Sequence, residues 1–218
     1  MSKYKIGCQL IIYGRRPSED LPGVLAEISE AGYDGIEAGN LTAGGRSIDE
    51  AKALLSSHNL KLAGVHTGYG SLEQFDEMIK FTAAMGCGYL MVSGVGGRDT
   101  LEDYERAAGV FNEIGRRCND AGIKFCYHNH SWEFKDFGGT TGLVKLYEST
   151  DAKLVHACVD TYWVKHGGED PAAFLKKYAD RVAYLHFKDM NADGSFGEIG
   201  HGILDWAGIM SALEGIKA

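Results

Sequence analysis

The sequence predicts an α/β fold in which parallel strands alternate with helices to build a (β/α)8-type barrel. Three observations lead to this prediction. Strand-like and amphipathic helical segments alternate with a period of about 30 residues, the length of one βα repeat. Glycine is abundant, at 30 of 218 residues, and many glycines stand where a helical pattern gives way to a strand pattern. Polar side chains collect where the strand patterns end, at the edge on which parallel barrels carry their sites.

The predicted elements follow one another in chain order, with a strand before each helix. Strands are predicted at about 4–12, 34–38, 61–67, 88–93, 123–129, 154–160 and 182–188. Helices are predicted at about 19–31, 48–58, 71–85, 100–121, 141–149, 170–179 and 204–214. Gly32 and Gly122 are typical joints, since each ends a helix at the C′ position before a short apolar strand. Asp170-Pro171 begins a helix, because a capping carboxylate precedes a proline at the first helical position. No linker interrupts the series, so we expect one domain over residues 1–218.

A doubly wound sheet is the competing parallel architecture, and its nucleotide site needs a glycine-rich turn after the first strand. The residues there, Ile12-Tyr13-Gly14-Arg15, contain no such turn. Gly94-Val95-Gly96-Gly97 follows the fourth strand, but alone it is a weak signal. Polar residues follow nearly every predicted strand, and in a barrel all of them surround one mouth. This arrangement favours the barrel.

The last residues resemble an earlier helix-to-strand joint. Leu213-Glu214-Gly215-Ile216 repeats the pattern of Ala121-Gly122-Ile123, but the printed chain stops before a strand continues. We therefore expect about seven βα units with strand 8 missing, as in a truncated form of a longer protein. The first and seventh strands would then leave an open barrel edge, which favours association into a homo-oligomer.

Composition narrows the partners and the cellular compartment. Acidic residues outnumber basic ones by 30 to 22, which gives a formal net charge of −8. The basic residues are scattered, so no nucleic acid and no membrane partner is expected. No apolar run approaches the ~18 residues of a membrane span. Five cysteines without a CxxC pair are typical of a reduced, cytoplasmic protein with buried thiols.

Asp160 and His186 form the strongest candidate pair for chemistry. They lie at the ends of neighbouring predicted strands, and neighbouring strands are ~4.8 Å apart. One carboxylate and one imidazole suit a divalent cation with open coordination positions, such as Mn, Mg, Co or Zn. A hydrogen-bonded Asp–His pair without a metal is the alternative interpretation.

The segment that follows the fifth strand, His128-Asn129-His130-Ser131-Trp132-Glu133, is dense in donors and acceptors. It offers a metal ligand, a general base and substrate hydrogen bonds, although a polar loop with capping histidines would look the same. Glu133 is the predicted base, with His128 or His130 as its partner acid. Trp163 near the mouth is suited either to stacking on a sugar ring or to sealing the core. Glu37 and His66 stand alone at strand ends, as rim residues or as substrate contacts.

The chain resembles the sugar phosphate isomerase/epimerase group of the xylose isomerase-like TIM-barrel superfamily, which also holds inosose dehydratases and endonuclease IV-type enzymes. The segments that carry the resemblance are Gly32-Tyr33-Asp34-Gly35-Ile36-Glu37, Tyr127-His128-Asn129-His130-Ser131-Trp132-Glu133-Phe134, Asp160-Thr161-Tyr162-Trp163, Leu185-His186-Phe187-Lys188-Asp189-Met190 and Gly200-His201-Gly202-Ile203-Leu204-Asp205. These motifs are specific for the superfamily and not for a substrate.

The resemblance implies a divalent metal held by a Glu after strand 5, an Asp after strand 6, a His after strand 7 and a Glu on strand 8. Asp160 and His186 match the second and third ligands. At strand 5 either Glu133 reaches back to the metal or His128 replaces the acid, and the strand 8 glutamate has no counterpart. The positions that commonly face the substrate in the family are matched here by Gln9, Glu37, His66 and Lys188.

The resulting hypothesis is a metal-dependent sugar isomerase or epimerase that removes a proton beside a carbonyl through a metal-stabilised enediolate. Its expected partner is a small sugar or keto-sugar. A sugar or inosose dehydratase on the same fold is one alternative, because expelling a β-hydroxyl turns the same intermediate toward dehydration. A non-catalytic sugar-binding remnant is another.

Overall fold

The computed structural model describes residues 4–216, and it contains a seven-stranded parallel sheet whose strands follow chain order. The strands are β1 (Gly7–Gln9), β2 (Gly35–Ala38), β3 (Lys61–Gly68), β4 (Tyr89–Ser93), β5 (Lys124–His128), β6 (Val155–Asp160) and β7 (Val182–His186). Each strand pairs in parallel with the next. A short antiparallel hairpin of β8 (Asp189–Met190) and β9 (Phe196–Gly197) follows β7.

Helices connect the strands and cover the outer face of the sheet. They are α1 (Arg16–Glu19), α2 (Leu21–Glu30), α3 (Ile48–Ser57), α4 (Leu72–Met85), α5 (Leu101–Asp120), α6 (Gly142–Glu148), α7 (Thr161–His166), α8 (Pro171–Lys177) and α9 (Trp206–Glu214). Ser47 and Ser71 begin α3 and α4 with capping boxes. Gly86 ends α4 with a φ of 71°, a left-handed conformation that glycine adopts without steric cost. Asp170 caps α8 as predicted, by accepting a hydrogen bond from the backbone of Ala173.

Two apolar layers hold the fold together. The outer layer packs the helices against the sheet, and Phe111 of α5 meets Phe125 of β5 with ring centroids 5.6 Å apart. The inner layer lies on the concave face, where Met91 and Cys126 belong to a separate buried cluster. A Cβ on Gly64 of β3 would collide with the Met91 side chain, so this interior is filled by side chains.

Pairing register places the carboxyl ends of the strands at one level. Gln9 of β1 aligns with Glu37 of β2, and Asp160 of β6 aligns with His186 of β7. The sheet also curls, because the Glu37 carboxylate reaches the His186 imidazole at 2.7 Å although four strands separate them. Residues from both ends of the sheet therefore meet at one mouth.

These observations confirm the predicted barrel class with seven parallel strands. Within residues 4–216, β1 and β7 do not pair with each other, and no eighth strand joins the parallel sheet. The end of the predicted final joint, Lys217-Ala218, lies outside the described residues. The predicted homo-oligomer through the open edge stays a prediction.

Several predicted boundaries were wrong near the mouth. The first strand stops at Gln9, and Leu10–Tyr13 turns into a 3-10 helix instead of continuing the strand. The seventh strand stops at His186, and Phe187-Lys188 leads into the hairpin. A short helix, α7, directly follows Asp160. The first two changes move residues out of the sheet and into the wall of the mouth, and α7 is a helix that the prediction did not include.

Two further findings concern the surroundings of the protein. No helix within the described range is both long and apolar enough to cross a bilayer. All five cysteines are free and buried, which agrees with the predicted reduced thiols. The cytoplasmic location itself stays a prediction.

Two glycines of α5 provide a matched test of the outer packing. A Cβ on Gly115 would collide with the backbone carbonyl of Leu154, whereas one on Gly109 meets open space. Gly115→Ala should therefore destabilise the protein by about 1–3 kcal/mol, the usual cost of overpacking. Gly109→Ala should stabilise it by about 0.5–1 kcal/mol through helix propensity. Urea unfolding measures both, and equal effects would contradict the packing described.

Candidate active site

A cavity of about 830 Å³ opens at the carboxyl ends of the strands. Its wall brings together seven of the residues that the sequence singled out: Gln9, Glu37, His66, His128, His130, Trp163 and Lys188. Asp160 and His186 lie beneath them and contact Lys188 and Glu37 respectively. The candidate residues thus converge as a parallel barrel requires.

Glu37 connects the two ends of the sheet. Its Oε2 lies 2.7 Å from Nε2 of His186, and its Oε1 lies 2.8 Å from Nδ1 of His66. Gln9 donates to Oε1 at 2.7 Å as well. Burial alone would raise the pKa of Glu37, but the hydrogen bonds from His186 and His66 hold that pKa well below its usual range. Glu37 is therefore an ionised acceptor that orients two imidazoles.

Asp160 holds the other carboxylate of the cluster. Its Oδ2 accepts from Lys188 Nζ at 2.8 Å and from His128 Nε2 at 3.2 Å, while its Oδ1 caps α7 through the backbone of Trp163. Burial alone would raise its pKa, but the hydrogen bond from His128 and the Lys188 charge lower it. A second buried anion thus lies beside the cavity, with one ammonium as its counter-ion.

The histidines of the β5 end are neutral bases. Burial lowers the pKa of His128 to about 3 and that of His130 to about 4. The His130 ring stacks on Trp132 with centroids 3.9 Å apart and faces the cavity. Neutral imidazoles can accept a proton or bind a metal, which protonated ones cannot do.

Two groups of side chains place their donor atoms close enough to hold a metal ion. They are Glu37 with His66 and His186, and His128 with Asp160 and His186. Nδ1 of His186 is buried without a hydrogen-bond partner and lies 3.8 Å from Oδ2 of Asp160. In the neutral tautomer that donates from Nε2 to Glu37, Nδ1 offers a lone pair beside a carboxylate. This arrangement fits a divalent cation between His186 and Asp160, with Glu37 orienting the imidazole behind it.

Glu133 does not join this cluster, which argues against its predicted roles as metal ligand and base. Its side chain is fully buried, outside the cavity wall and outside both donor groups found in residues 4–216. Tyr127 donates to its Oε1 at 2.6 Å, and the backbone of His130 donates to its Oε2 at 2.9 Å. Tyr127 points outward from β5, because side chains alternate along a strand and His128 points inward. Glu133 therefore fixes the loop that presents His130.

The cavity also has an apolar part that sequence reasoning missed. Ile11, Ile12, Phe187, Phe196 and Ile199 line it, from the turn after β1 and from the region of the hairpin. The buried Asp189 carboxylate holds this region by accepting hydrogen bonds from Trp206 Nε1 at 2.7 Å and Gly200 N at 2.9 Å. The Asp193-Gly194 dipeptide is a hairpin signal that could have revealed β8 and β9.

A parallel barrel with a histidine–carboxylate cluster at its strand ends belongs to the large class of TIM-barrel proteins that act on small molecules. More specifically, the chain belongs to the xylose isomerase-like TIM barrel family, whose family model matches residues 25–218. This confirms the resemblance drawn from the motifs.

Curated relatives and solved structures agree with this assignment. An inosose dehydratase from Geobacillus kaustophilus is 28% identical over 210 residues, which cover 81% of this chain and 67% of the relative. A sugar phosphate isomerase/epimerase structure from Parabacteroides distasonis has a TM-score of 0.83 at 24% identity, over 98% of this chain and 83% of that one. D-psicose 3-epimerase from Clostridium cellulolyticum has a TM-score of 0.77 at 16% identity, over 97% and 81%. These relatives confirm that the chain is of an enzyme family, while the structural likenesses at such identities show the fold alone.

The buried Glu133 predicts a pH dependence of stability. Burial raises its pKa from 4.5 to about 7, so between these values the folded protein keeps a proton that the unfolded chain releases. This contribution makes the free energy of unfolding fall as pH rises from about 4.5 to about 7, by on the order of 3 kcal/mol. Glu133→Gln has no carboxyl group that titrates at this position. The wild type should therefore lose stability relative to that variant as pH rises from about 4.5 to about 7.

Urea unfolding of both proteins at a series of pH values measures the difference. The exposed Glu30→Gln is the matched control, and its difference from the wild type should not follow this course. A wild-type-minus-Glu133→Gln difference that stays constant with pH would contradict a buried carboxyl group titrating there.

Proposed function

We propose that this protein removes a proton beside the carbonyl group of a sugar, keto-sugar or related polyol ketone. The single observation that carries the proposal is the His128–Asp160–His186 group beneath the cavity, beside the Lys188 ammonium. A divalent cation held by these residues would polarise the carbonyl as a Lewis acid. The chemistry of the donors suits Mn, Mg, Co or Zn.

The residues of the cavity wall supply the remaining functions. His130, neutral and facing the cavity, takes the proton from carbon. Lys188 lies where an oxyanion would form and donates to it, while Asp160 holds the ammonium in place. Gln9, Glu37 and His66 offer hydrogen bonds to hydroxyl groups, and Trp163 offers its ring to a sugar face. Return of the proton to the neighbouring carbon gives isomerisation, and return to the opposite face gives epimerisation.

Dehydration is the second candidate, and the single carboxylate in the wall favours it. Among the described residues that line the cavity, Glu37 is the only acid, and it is held ionised. Two opposed acids for shuttling a proton between faces are therefore absent from the described wall. A neutral histidine and an ammonium instead suit removal of the α-proton and protonation of a departing β-hydroxyl, which leaves as water. The relatedness to inosose dehydratases agrees with this outcome.

The metal ligands can be tested by binding alone. Asp160→Asn keeps an N-cap for α7 but removes the anionic ligand, so Mn²⁺ affinity should fall by at least about tenfold. His186→Ala should do the same, and Glu37→Gln should lower affinity by about tenfold or more because it orients His186. Isothermal titration measures affinity, and circular dichroism checks the fold.

His201→Ala, at an exposed histidine, is the control for these variants and should bind Mn²⁺ like the wild type. If Asp160→Asn and His186→Ala both keep wild-type affinity, the metal does not bind at this group.

Proton abstraction can be tested by isotope exchange. In D₂O the protein with Mn²⁺ should place deuterium on the carbon beside the carbonyl of at least one member of a panel of keto-sugars and inososes. His130→Gln should slow this exchange by a factor of about 10² or more, the usual contribution of a general base. Product NMR separates isomers from dehydrated ketones.

The exposed His201→Gln is the matched control and should leave the exchange rate unchanged. Sugar binding without exchange on the whole panel would contradict the enzyme hypothesis and favour a sugar-binding protein. Full exchange in His130→Gln would move the role of base to another residue.

A further inference from the structure

The cavity has two unlike halves. Its floor is polar and carries the histidines and carboxylates described above. Its rim is apolar and consists of Ile11, Ile12, Phe187, Phe196 and Ile199, which we call the apolar rim. The exposed fractions of these residues are 73%, 68%, 38%, 59% and 57%, respectively. Five large apolar side chains exposed around one opening are unusual for a protein surface and typical of a binding site.

The exposure of Phe196 is built into the structure. β9 pairs with β8, and Asn191 Nδ2 donates to the carbonyl of Phe196 at 3.0 Å. The ring lies 4.1 Å from that of Tyr162, whose hydroxyl donates to Gly194 in the hairpin turn at 2.8 Å. The hairpin is thus fastened at both strands and at its turn. Phe196 is held over the cavity by these contacts and does not fold away from water.

The charges of the cavity disfavour a phosphorylated ligand. Of the described residues in its wall, Lys188 is the only lysine or arginine, and its ammonium already pairs with Asp160 at 2.8 Å. The N-terminus of α7, which opens near the cavity, is capped by Asp160 and offers no free site to an anion. A phosphate would find no unpaired lysine or arginine in the described wall, and the cation proposed for the floor would be occupied by the sugar oxygens.

The volume also exceeds what a single sugar ring fills. A space of about 830 Å³ is in the range that holds a drug-sized molecule. A monosaccharide on the polar floor would leave the apolar rim uncovered. A ligand with a second, apolar part would cover both halves.

We propose that the apolar rim is a subsite for an apolar substituent, so that the substrate is an uncharged sugar linked to an apolar group and not a sugar phosphate. The assignment of the sugar end rests on the proposed function of the floor. Burial of the substituent against Ile12 and Phe196 supplies binding energy that the polar floor, rich in groups that must be desolvated, supplies poorly.

The test is a series of alkyl β-D-glucosides, from methyl through butyl to hexyl, titrated into the protein by calorimetry. Each added methylene is worth about 0.8 kcal/mol when fully buried, so affinity should rise by about twofold to fourfold per methylene. In Phe196→Ala and in Ile12→Ala the rise per methylene should shrink. Met210→Ala, exposed on α9 and outside the cavity wall, is the matched control and should keep the wild-type slope.

Two further probes distinguish the alternatives. Glucose 6-phosphate should bind no more tightly than glucose, and tighter binding that weakens with salt would overturn the proposal. Hexan-1-ol should bind much more weakly than hexyl glucoside, and equal binding would show that the rim is separate from the sugar site. If the affinity of the wild type does not rise with the length of the alkyl group, the subsite is overturned. A self-association, measured by sedimentation, that Ile12→Ala or Phe196→Ala abolishes would also overturn it.

The isotope exchange assay keeps this proposal apart from the proposed function. If a free keto-sugar exchanges its proton but affinity does not rise along the glucoside series, the subsite is disproved and the proposed function is not. A rising series without exchange on any keto-sugar supports the subsite and disproves the chemistry of the floor.

Discussion

The contact between Glu37 and His186 is the interaction on which the rest of the site depends. It joins the carboxyl ends of β2 and β7 at 2.7 Å, so it forms only because the parallel sheet curls far enough to bring them together. By accepting from Nε2, the Glu37 carboxylate orients the His186 ring so that Nδ1 faces Asp160. One hydrogen bond thus couples the shape of the sheet to the orientation of the His186 imidazole.

The electrostatics of the floor follow from this contact. Two buried carboxylates are ionised, and the nearest permanent positive charge is the single Lys188 ammonium. His128 and His130 are neutral, because burial removes the water that a charged imidazole needs. The described floor thus combines two anionic carboxylates with imidazole nitrogens that face the cavity. The donor atoms of this site fit the cation that we propose, and a cation would polarise a carbonyl for loss of an adjacent proton.

Sequence reasoning could predict the architecture and most residues of the floor for a simple reason. In a parallel sheet the side chain at the end of each strand must point to the same mouth, so Glu37, Asp160 and His186 could be placed together without a structure. The same reasoning failed at Glu133, because spacing along a loop does not determine which side of the strand the loop folds onto. The alternation of Tyr127 outward and His128 inward was the available signal. Glu133 pairs with the outward residue.

Strand boundaries were the second limit, and the error there has a physical cause. Leu10, Ile11 and Ile12 are as apolar as a buried strand, so composition alone extends β1 through them. In the structure the chain leaves the sheet after Gln9, and the two isoleucines stand exposed at the mouth. An apolar segment that a pattern assigns to the core is instead part of a surface, which is why the apolar rim is invisible to periodicity. The polar floor comes from the strand ends, where the fold itself dictates position, whereas the rim comes from a turn and a hairpin that the fold leaves free to vary. If the floor carries the proposed chemistry and the rim the proposed subsite, different elements serve the two roles, and substitutions in the turn after β1 or in the hairpin should change the ligand without disturbing the contact between Glu37 and His186.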